Sequence, residues 1–187
     1  NHTMAGCGSS PNSTKLEPGS GTTIQAYAGI CGGENIQPNS DPFFHGMSFD
    51  EISNFVSGTG AGCGTTSATG NGIPTIASLA NNGANIPIST PFTLTGSATD
   101  PDNDPLTYNW EQWDVSGTGN TTWNAGATAA AGNSVPLFKS RVPKTTGSRT
   151  FPDIAVILAG YPANPPSALG GLKGETLSPV ARAMKFK

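Results

Sequence analysis

One histidine at the start of the chain could bind a metal ion. His2 lies in Asn1-His2-Thr3, and imidazole nitrogen is a common ligand of zinc. A lone histidine near a chain end is usually solvated, so its role must be decided by the residues around it.

Three aspartates alternate in the acidic stretch 99–105, at Asp100, Asp102 and Asp104. Carboxylates at alternate positions of a turn could converge on calcium, which takes six to eight oxygen ligands. The same residues are also ordinary turn formers, because Asp and Asn side chains accept hydrogen bonds from the nearby backbone. The spacing leaves two interpretations, a calcium site or a plain turn.

The three cysteines are Cys7, Cys31 and Cys63. An odd number in an oxidising compartment is most simply explained by one disulfide and one unpaired thiol. A Cys7–Cys31 bridge would close a loop of about 25 residues and contribute about 3 kcal/mol in the chain-entropy model. Two buried thiols are the alternative if the protein is cytosolic.

Other side chains with chemical potential favour structural roles. His45 lies between aromatic residues and a helix start, where a packed or surface histidine is expected rather than a metal ligand, and Glu17 has no carboxylate partner at a useful spacing. Four aromatic residues could form a carbohydrate-binding platform: Tyr108, Trp110, Trp113 and Trp123. Their position beside a strand-like run favours core packing for Trp110.

The predicted elements that must position these side chains are short. The clearest helix is predicted over residues 48–57, with Ser48 as N-cap, Glu51 completing a capping box and Gly58 ending the helix. It carries one apolar stripe: Phe49, Ile52, Phe55 and Val56.

Strand-like runs begin after residue 72. They cover residues 73–76, 92–98, 106–113, 137–140, 149–151, 154–158 and 180–187. Short strands between Pro, Gly and Asn turns are typical of a β-sandwich. The chain stops within the last run, which predicts a truncated domain with an unpaired edge strand that could support self-association.

The composition excludes several classes of protein. Nine Lys+Arg against 12 Asp+Glu give a net charge of −3, so no cationic surface for nucleic acid is expected. Twenty-five Gly and 16 Pro argue against a helical bundle, and no apolar run is long enough for a membrane-spanning helix. We expect a loop-rich, mainly β fold with little helix, and the low charge with abundant Ser, Thr and Asn favours a secreted protein.

Several motifs in order resemble secreted bacterial reprolysin-like zinc metallopeptidases, which are adamalysin-type metzincins. The motifs are TTIQAYAGICG at 22–32, NIQ at 35–37, SDPFFH at 40–45 and SFDEI at 48–52. Asn1-His2-Thr3 is similar to the end of the family motif H-E-x-x-H-x-x-G-x-N-H. The resemblance continues beyond residue 72, since these peptidases often carry an Ig-like β-domain with the run T-G-S-A-T-D-x-D-x-D-P-L-T-Y-x-W-E-Q-W.

This resemblance implies a domain organisation. Residues 1–62 would be the C-terminal subdomain of a metzincin-like catalytic domain with one short helix, 63–72 a linker, and 73–187 an incomplete Ig-like β-sandwich. Cys63 would pair with a cysteine upstream of the zinc motif.

The resemblance also implies roles for individual residues. His2 would be the third zinc-binding histidine, and Gln25-Ala26-Tyr27 would correspond to the family's Met-turn, with Gln25 where Met is common. The H-E-x-x-H segment is absent, and with it two zinc ligands and the general-base Glu. No catalytic residue is therefore expected in this segment, which should not hydrolyse peptides alone.

We expect a fragment of a secreted zinc metalloendopeptidase that acts on protein or peptide substrates in the complete enzyme. Zinc is the implied cofactor, and calcium is the second predicted ion. The alternative is a non-catalytic extracellular β-rich module that binds a partner or assembles with itself.

Overall fold

The computed structural model describes residues 1–6, 12–115, 136–158, 174–178 and 181–186. These residues form five short strands: β1 (Thr75–Leu79), β2 (Asn85–Ile86), β3 (Phe92–Thr99), β4 (Ser148–Phe151) and β5 (Arg182–Ala183). Two α-helices accompany them, α1 (Gly46–Ser57) and α2 (Ile154–Leu158). The prediction of a β-rich fold with little helix is confirmed.

The main sheet consists of β1, β3 and β4, all antiparallel, with β3 in the centre. Because side chains alternate along a strand, the predicted period of two puts Leu94 in the core. It packs there with Leu137, Phe138 and Phe151. Phe92 stacks on Phe151 with ring centroids 5.1 Å apart.

The opposite face of this sheet carries hydroxyl groups that join the strands in pairs. The pairs are Ser78–Ser97 at 2.9 Å, Thr95–Ser148 at 3.0 Å and Thr93–Thr150 at 2.9 Å. Cross-strand pairs of this kind stabilise one register over its neighbours. The outer face thus fixes the same alignment that the buried face requires.

The terminal run 180–187, predicted as a strand, is shorter in the structure. Of its described residues, 181–186, only Arg182–Ala183 is regular, and it pairs antiparallel with β2. The Arg182 guanidinium also donates to Ser178 and Asp114. Self-association through this strand stays a prediction.

The prediction of a strand over residues 106–113 is wrong. This stretch makes one isolated bridge, in which Tyr108 and Lys144 exchange both backbone hydrogen bonds. Further along, the Gln112 side chain accepts from the backbone N–H groups of Leu137 at 2.6 Å and Phe138 at 3.2 Å. A side-chain amide therefore replaces the ladder that the alternating pattern predicted.

The run 154–158 was also predicted as β and is instead the short helix α2. Asp153 precedes it, and its carboxylate accepts from the N–H of Ala155 at 2.9 Å. The backbone carbonyl of Asp153 accepts from the N–H groups of Val156 and Ile157. A side-chain cap of this kind starts a helix even in a run rich in β-branched residues.

Helix α1 begins two residues earlier than predicted, at Gly46, and ends before Gly58 as expected. The N-cap is His45 rather than Ser48, because the His45 Nδ1 accepts from the N–H of Met47 at 3.1 Å. The N–H of Gly46 donates to the Glu111 carboxylate at 2.6 Å. Ser48 is buried within the first turn.

The apolar stripe predicted on α1 lies on the surface. Phe49 is 65% exposed, Phe55 57% and Val56 55%, while Ile52 is 41% exposed. Among the described residues nothing covers this face.

The described residues before α1, 1–6 and 12–45, contain turns and 3₁₀ segments rather than regular helices or strands. Backbone hydrogen bonds tie the stretch 3–6 to the stretch 16–19, for example from Ala5 to Glu17 at 2.8 Å and from Gly6 to Gly19 at 2.7 Å. A Cβ at Gly6 would lie 2.5 Å from the Gly19 carbonyl oxygen, so only glycine permits this close approach.

Residues 64–74 have no regular structure, and the linker predicted at 63–72 stays a prediction. The segments on either side of them nevertheless contact each other. The Thr22 hydroxyl donates to the Ser140 carbonyl at 2.8 Å, and Lys139 donates to Gln37 at 3.1 Å. No helix in the described part of the chain is long and apolar enough to cross a membrane.

Candidate functional site

Glu17 organises the loop region that contains the candidate site. Its side chain is fully buried, and both carboxylate oxygens accept hydrogen bonds. One oxygen accepts from the N–H groups of Thr22 at 2.8 Å and Thr23 at 3.2 Å. The other accepts from the hydroxyls of Thr3 and Thr23. Glu17 therefore joins the segment that carries His2 to the segment that leads into Gln25.

His2 lies directly against the turn formed by Gln25, Ala26 and Tyr27. Its Nε2 is 3.3 Å from the Tyr27 hydroxyl, and the two rings have centroids 4.6 Å apart. The N–H of Thr3 donates to the Gln25 carbonyl at 3.1 Å. The structure thus brings together His2 and the turn that the sequence marked, although they are more than twenty positions apart.

Backbone hydrogen bonds hold the turn itself in place. The N–H of Ala26 donates to the Thr23 carbonyl at 3.1 Å, and the N–H of Tyr27 donates to the Ser20 carbonyl at 2.8 Å. Ala26 is buried. The Thr14 hydroxyl donates to the His2 carbonyl at 2.8 Å, which fixes the backbone on the other side of the ring.

The donor set around His2 fits one part of a zinc site. His2 is half-buried, so its imidazole can reach both solvent and a neighbouring group. In the described ranges no three His, Cys, Asp or Glu side chains are close enough together to hold a metal ion. A zinc site with three protein ligands would need further ligands beside His2.

An apolar hollow lies next to His2, between the chain start and α1. Its volume is about 210 Å³, and it is lined by Asn1, Gln25, Ser48, Glu51, Ile52 and Phe55. The amino group of Asn1 forms a salt bridge with Glu51 at 3.0 Å. The exposed stripe of α1 therefore continues to the edge of the candidate site.

His45 is a packed residue, as the sequence favoured. It is 1% exposed, lies 5.7 Å from the Trp113 ring and caps α1. Its Nε2 is 3.8 Å from the Glu111 carboxylate. Both sides of the predicted linker thus meet at the start of α1.

The aspartate cluster forms a turn. Asp100 accepts from the N–H groups of Asp102 at 2.8 Å and Asp104 at 3.2 Å, while Asp102 accepts from the N–H of Gly72. Asn103 has a φ of 60°, which suits a tight turn. Calcium binding at these three residues stays a prediction.

Cys31 is disulfide-bonded and Cys63 is free and exposed. The expected partner of Cys31, Cys7, lies outside the described residues.

The described aromatic residues of the proposed platform make contacts within the fold. Trp110 packs against Phe186, with centroids 5.4 Å apart, and its indole N–H donates to the Gly147 carbonyl at 2.9 Å. The Tyr108 hydroxyl accepts from the N–H of Ala98 at 3.3 Å. Trp123 lies outside the described residues. These contacts give Trp110 and Tyr108 structural roles in the fold.

Two buried carboxylates have roles that the sequence did not predict. The sequence predicts a structural role for Glu17 without a carboxylate partner, and it carries no signal for Glu175. Glu175 is fully buried and accepts from Arg141 at 2.8 Å, Arg149 at 2.9 Å and the N–H of Asp153 at 2.7 Å. The threonines at positions 22 and 23 are the one sequence signal for Glu17, because they supply three of its four hydrogen bonds.

Comparison of the chain with protein-family models, with curated proteins and with solved structures finds no match.

Proposed function

We propose that this chain is part of a secreted zinc metalloendopeptidase of the reprolysin-like type. In this proposal, residues 1–62 form the C-terminal subdomain of a metzincin-like catalytic domain, and residues 73–187 belong to an Ig-like β-domain. The observation that carries the proposal is the contact between His2 and the turn at Gln25–Tyr27.

This contact is what the resemblance requires of a third zinc ligand and its Met-turn. The two motifs could have lain anywhere in the fold, yet the Thr3 N–H is hydrogen-bonded to the Gln25 carbonyl and His2 lies on Tyr27. Glu17 supports both segments from the interior. The resemblance and the geometry therefore favour the same pair of motifs.

The residues of this chain would orient and hold the metal rather than perform the proton transfer. His2 would bind the metal through Nδ1, while its Nε2–H would donate to the Tyr27 hydroxyl, 3.3 Å away, and this hydrogen bond would hold the ring in position. Bound zinc supplies a Lewis acid that polarises the scissile carbonyl and activates water. The general base belongs to the H-E-x-x-H motif, which this chain does not contain.

The exposed stripe of α1 is consistent with the same proposal. In the family, a helix carries the H-E-x-x-H motif. We expect that helix to cover the hollow beside Asn1 and the apolar side chains of α1, because an apolar face of this size is unusual on a folded domain.

The first test uses the natural protein isolated from its source. Its sequence and intact mass should place H-E-x-x-H before Asn1, and it should cleave casein in a chelator-sensitive reaction. His2→Ala in that protein should abolish cleavage and lower its zinc content, whereas Lys15→Gln should change neither. A natural protein without that motif, or one that stays active after His2→Ala, would refute the proposal.

The second test uses the 187-residue chain alone. It should show no chelator-sensitive proteolysis, since one imidazole gives weak and exchangeable zinc binding. Stoichiometric tight zinc binding by this chain would contradict the assignment of His2 as one ligand of a larger set.

A further inference from the structure

A cleft in the second half of the chain combines several cations with an apolar rim. We call it the basic cleft. Its volume is about 210 Å³, and its charged lining consists of Arg141, Lys144, Arg149 and Asp153. It lies between the Tyr108–Trp110 stretch, β4 and the start of α2. This surface is separate from the site around His2.

The charges of the basic cleft do not balance. Three cations face one carboxylate in its lining, and the buried Glu175 behind them accepts from both guanidinium groups. Nearby, burial and then the charge of Arg141 lower the pKa of Lys139 to about 8, even though Glu175 acts in the opposite direction. In a chain of net charge −3, the cleft is a local excess of positive charge.

The guanidinium groups also retain donors that have no acceptor. Arg149 is held by the carbonyls of Trp110 at 2.5 Å and Lys139 at 2.6 Å, yet its Nε has no partner among the described residues. Arg141 donates through Nε to Glu175, and its Nη1 lies 3.3 Å from the Asp153 carboxylate, while its Nη2 has no partner in the described ranges. Buried donors are nearly always satisfied, so water or an anion is expected beside them.

Two further features indicate what kind of anion would fit. The exposed Lys144 ammonium makes no hydrogen bond in the part of the chain that the structure describes, so it is available to a ligand. Val142 and Ile154 also line the cleft and are 50% and 60% exposed. A bare inorganic anion would use the cations and leave these two side chains in water.

We propose that the basic cleft binds a carboxylate attached to an apolar side chain, the chemistry presented by the C-terminal residue of a peptide. The carboxylate would lie between the Arg141 guanidinium and the Lys144 ammonium, with Arg149 supporting the positive charge from behind. The apolar side chain would lie on Val142 and Ile154. The inference does not depend on the proposed peptidase function.

The test is an NMR titration of the full 187-residue chain with N-acetyl-leucinate at constant ionic strength. Backbone and arginine Nε resonances around Arg141, Lys144 and Ile154 should shift with a Kd of about 1 mM, the range expected for a ligand of about a dozen non-hydrogen atoms. N-acetyl-leucinamide, which lacks only the charge, should bind at least about tenfold more weakly.

Two single substitutions should shift the affinity in opposite directions. Lys144→Gln removes an exposed cation and should weaken binding about two- to fivefold. Asp153→Asn removes the competing carboxylate while leaving an oxygen to cap α2, so binding should tighten by a similar factor. Lys185→Gln, at an exposed lysine outside the cleft, is the matched control and should leave the affinity unchanged.

Each contrary result would overturn the inference. Equal binding of the amide would mean an apolar contact without anion recognition. Equally tight binding of acetate or phosphate would mean a simple anion site. An absence of shifts at the cleft residues up to about 20 mM ligand would mean that the unpartnered donors serve only water.

Discussion

Replacing the buried carboxylate of Glu17 tests how the loop region around His2 is held together. No salt bridge involves Glu17 among the described residues, so its contribution comes from its four hydrogen bonds rather than from a partner cation. We therefore expect Glu17→Ala and Glu17→Gln to differ strongly, because only the alanine variant removes every acceptor.

The expected magnitude follows from the two kinds of donor. In Glu17→Ala the N–H groups of Thr22 and Thr23 stay buried and cannot turn toward another acceptor. At about 1–3 kcal/mol for each unsatisfied group, the loss is about 4 kcal/mol. In Glu17→Gln the amide oxygen keeps both N–H groups, and the hydroxyls of Thr3 and Thr23 can rotate to accept from the amide nitrogen. That variant should lose only about 1 kcal/mol.

Thermal unfolding of the full chain measures this difference. At roughly 2–4 °C per kcal/mol for a protein of this size, Glu17→Ala should lower Tm by about 10 °C and Glu17→Gln by about 3 °C. Glu51→Ala is the control, since it removes exposed contacts with the amino group and the side-chain amide of Asn1 and should change Tm by about 3 °C or less. If alanine and glutamine lower Tm equally, the argument from acceptor geometry is wrong and the charge itself is what matters.

Three further predictions concern other parts of the chain. Burial lowers the pKa of Lys139 from 10.5 to about 8, so folding releases its proton between these two pH values. The destabilisation caused by burying this lysine is therefore complete below pH 8 and disappears as pH rises toward 10.5. Lys139→Met should therefore gain stability relative to wild type in urea unfolding at pH 7, with the gain shrinking toward pH 10; a pH-independent difference would contradict the assignment. Millimolar calcium should raise Tm by several degrees over chelator if the aspartate turn binds it at about 100-fold excess over Kd, and Asp102→Asn should abolish the rise; identical melts would leave a plain turn. Non-reducing peptide mapping should recover Cys7 linked to Cys31, and a peptide that joins either one to Cys63 would refute that pairing.

The elements that could be predicted from the sequence are those whose signals are local. The alternation around Leu94 predicted β3, and Gly58 predicted the end of α1. The start of α1 was missed because its caps come from His45, whose side chain is an uncommon N-cap, and from Glu111, which is 65 residues away. The local sequence cannot predict a hydrogen bond that depends on the tertiary fold.

In the candidate site, too, local sequence signals indicate some residues, whereas other contacts depend on the tertiary fold. The motifs indicated that His2 and Gln25-Ala26-Tyr27 belong to one candidate site, but spacing alone could not place them in contact. Their contact depends on Glu17, which the sequence presents as an isolated acidic residue before Pro18-Gly19. The basic cleft was not predicted at all, because Arg141 and Arg149 come together through Glu175, which follows 26 residues after Arg149.

These buried acceptors have a common physical cause. A chain with so much Gly and Pro forms little helix and sheet, so many backbone N–H groups lack the usual carbonyl partners. Carboxylate and amide side chains replace those carbonyl groups as acceptors. Glu17 accepts from two threonine N–H groups and Glu111 from the N–H of Gly46 at the start of α1. Gln112 accepts from the N–H of Leu137, and Glu175 from that of Asp153. Each of these acceptors serves donors in a different segment of the chain or in a loop. Substituting one of them should therefore disturb the position of a whole loop, and with it any site that the loop carries, more than the loss of a single apolar contact on the surface.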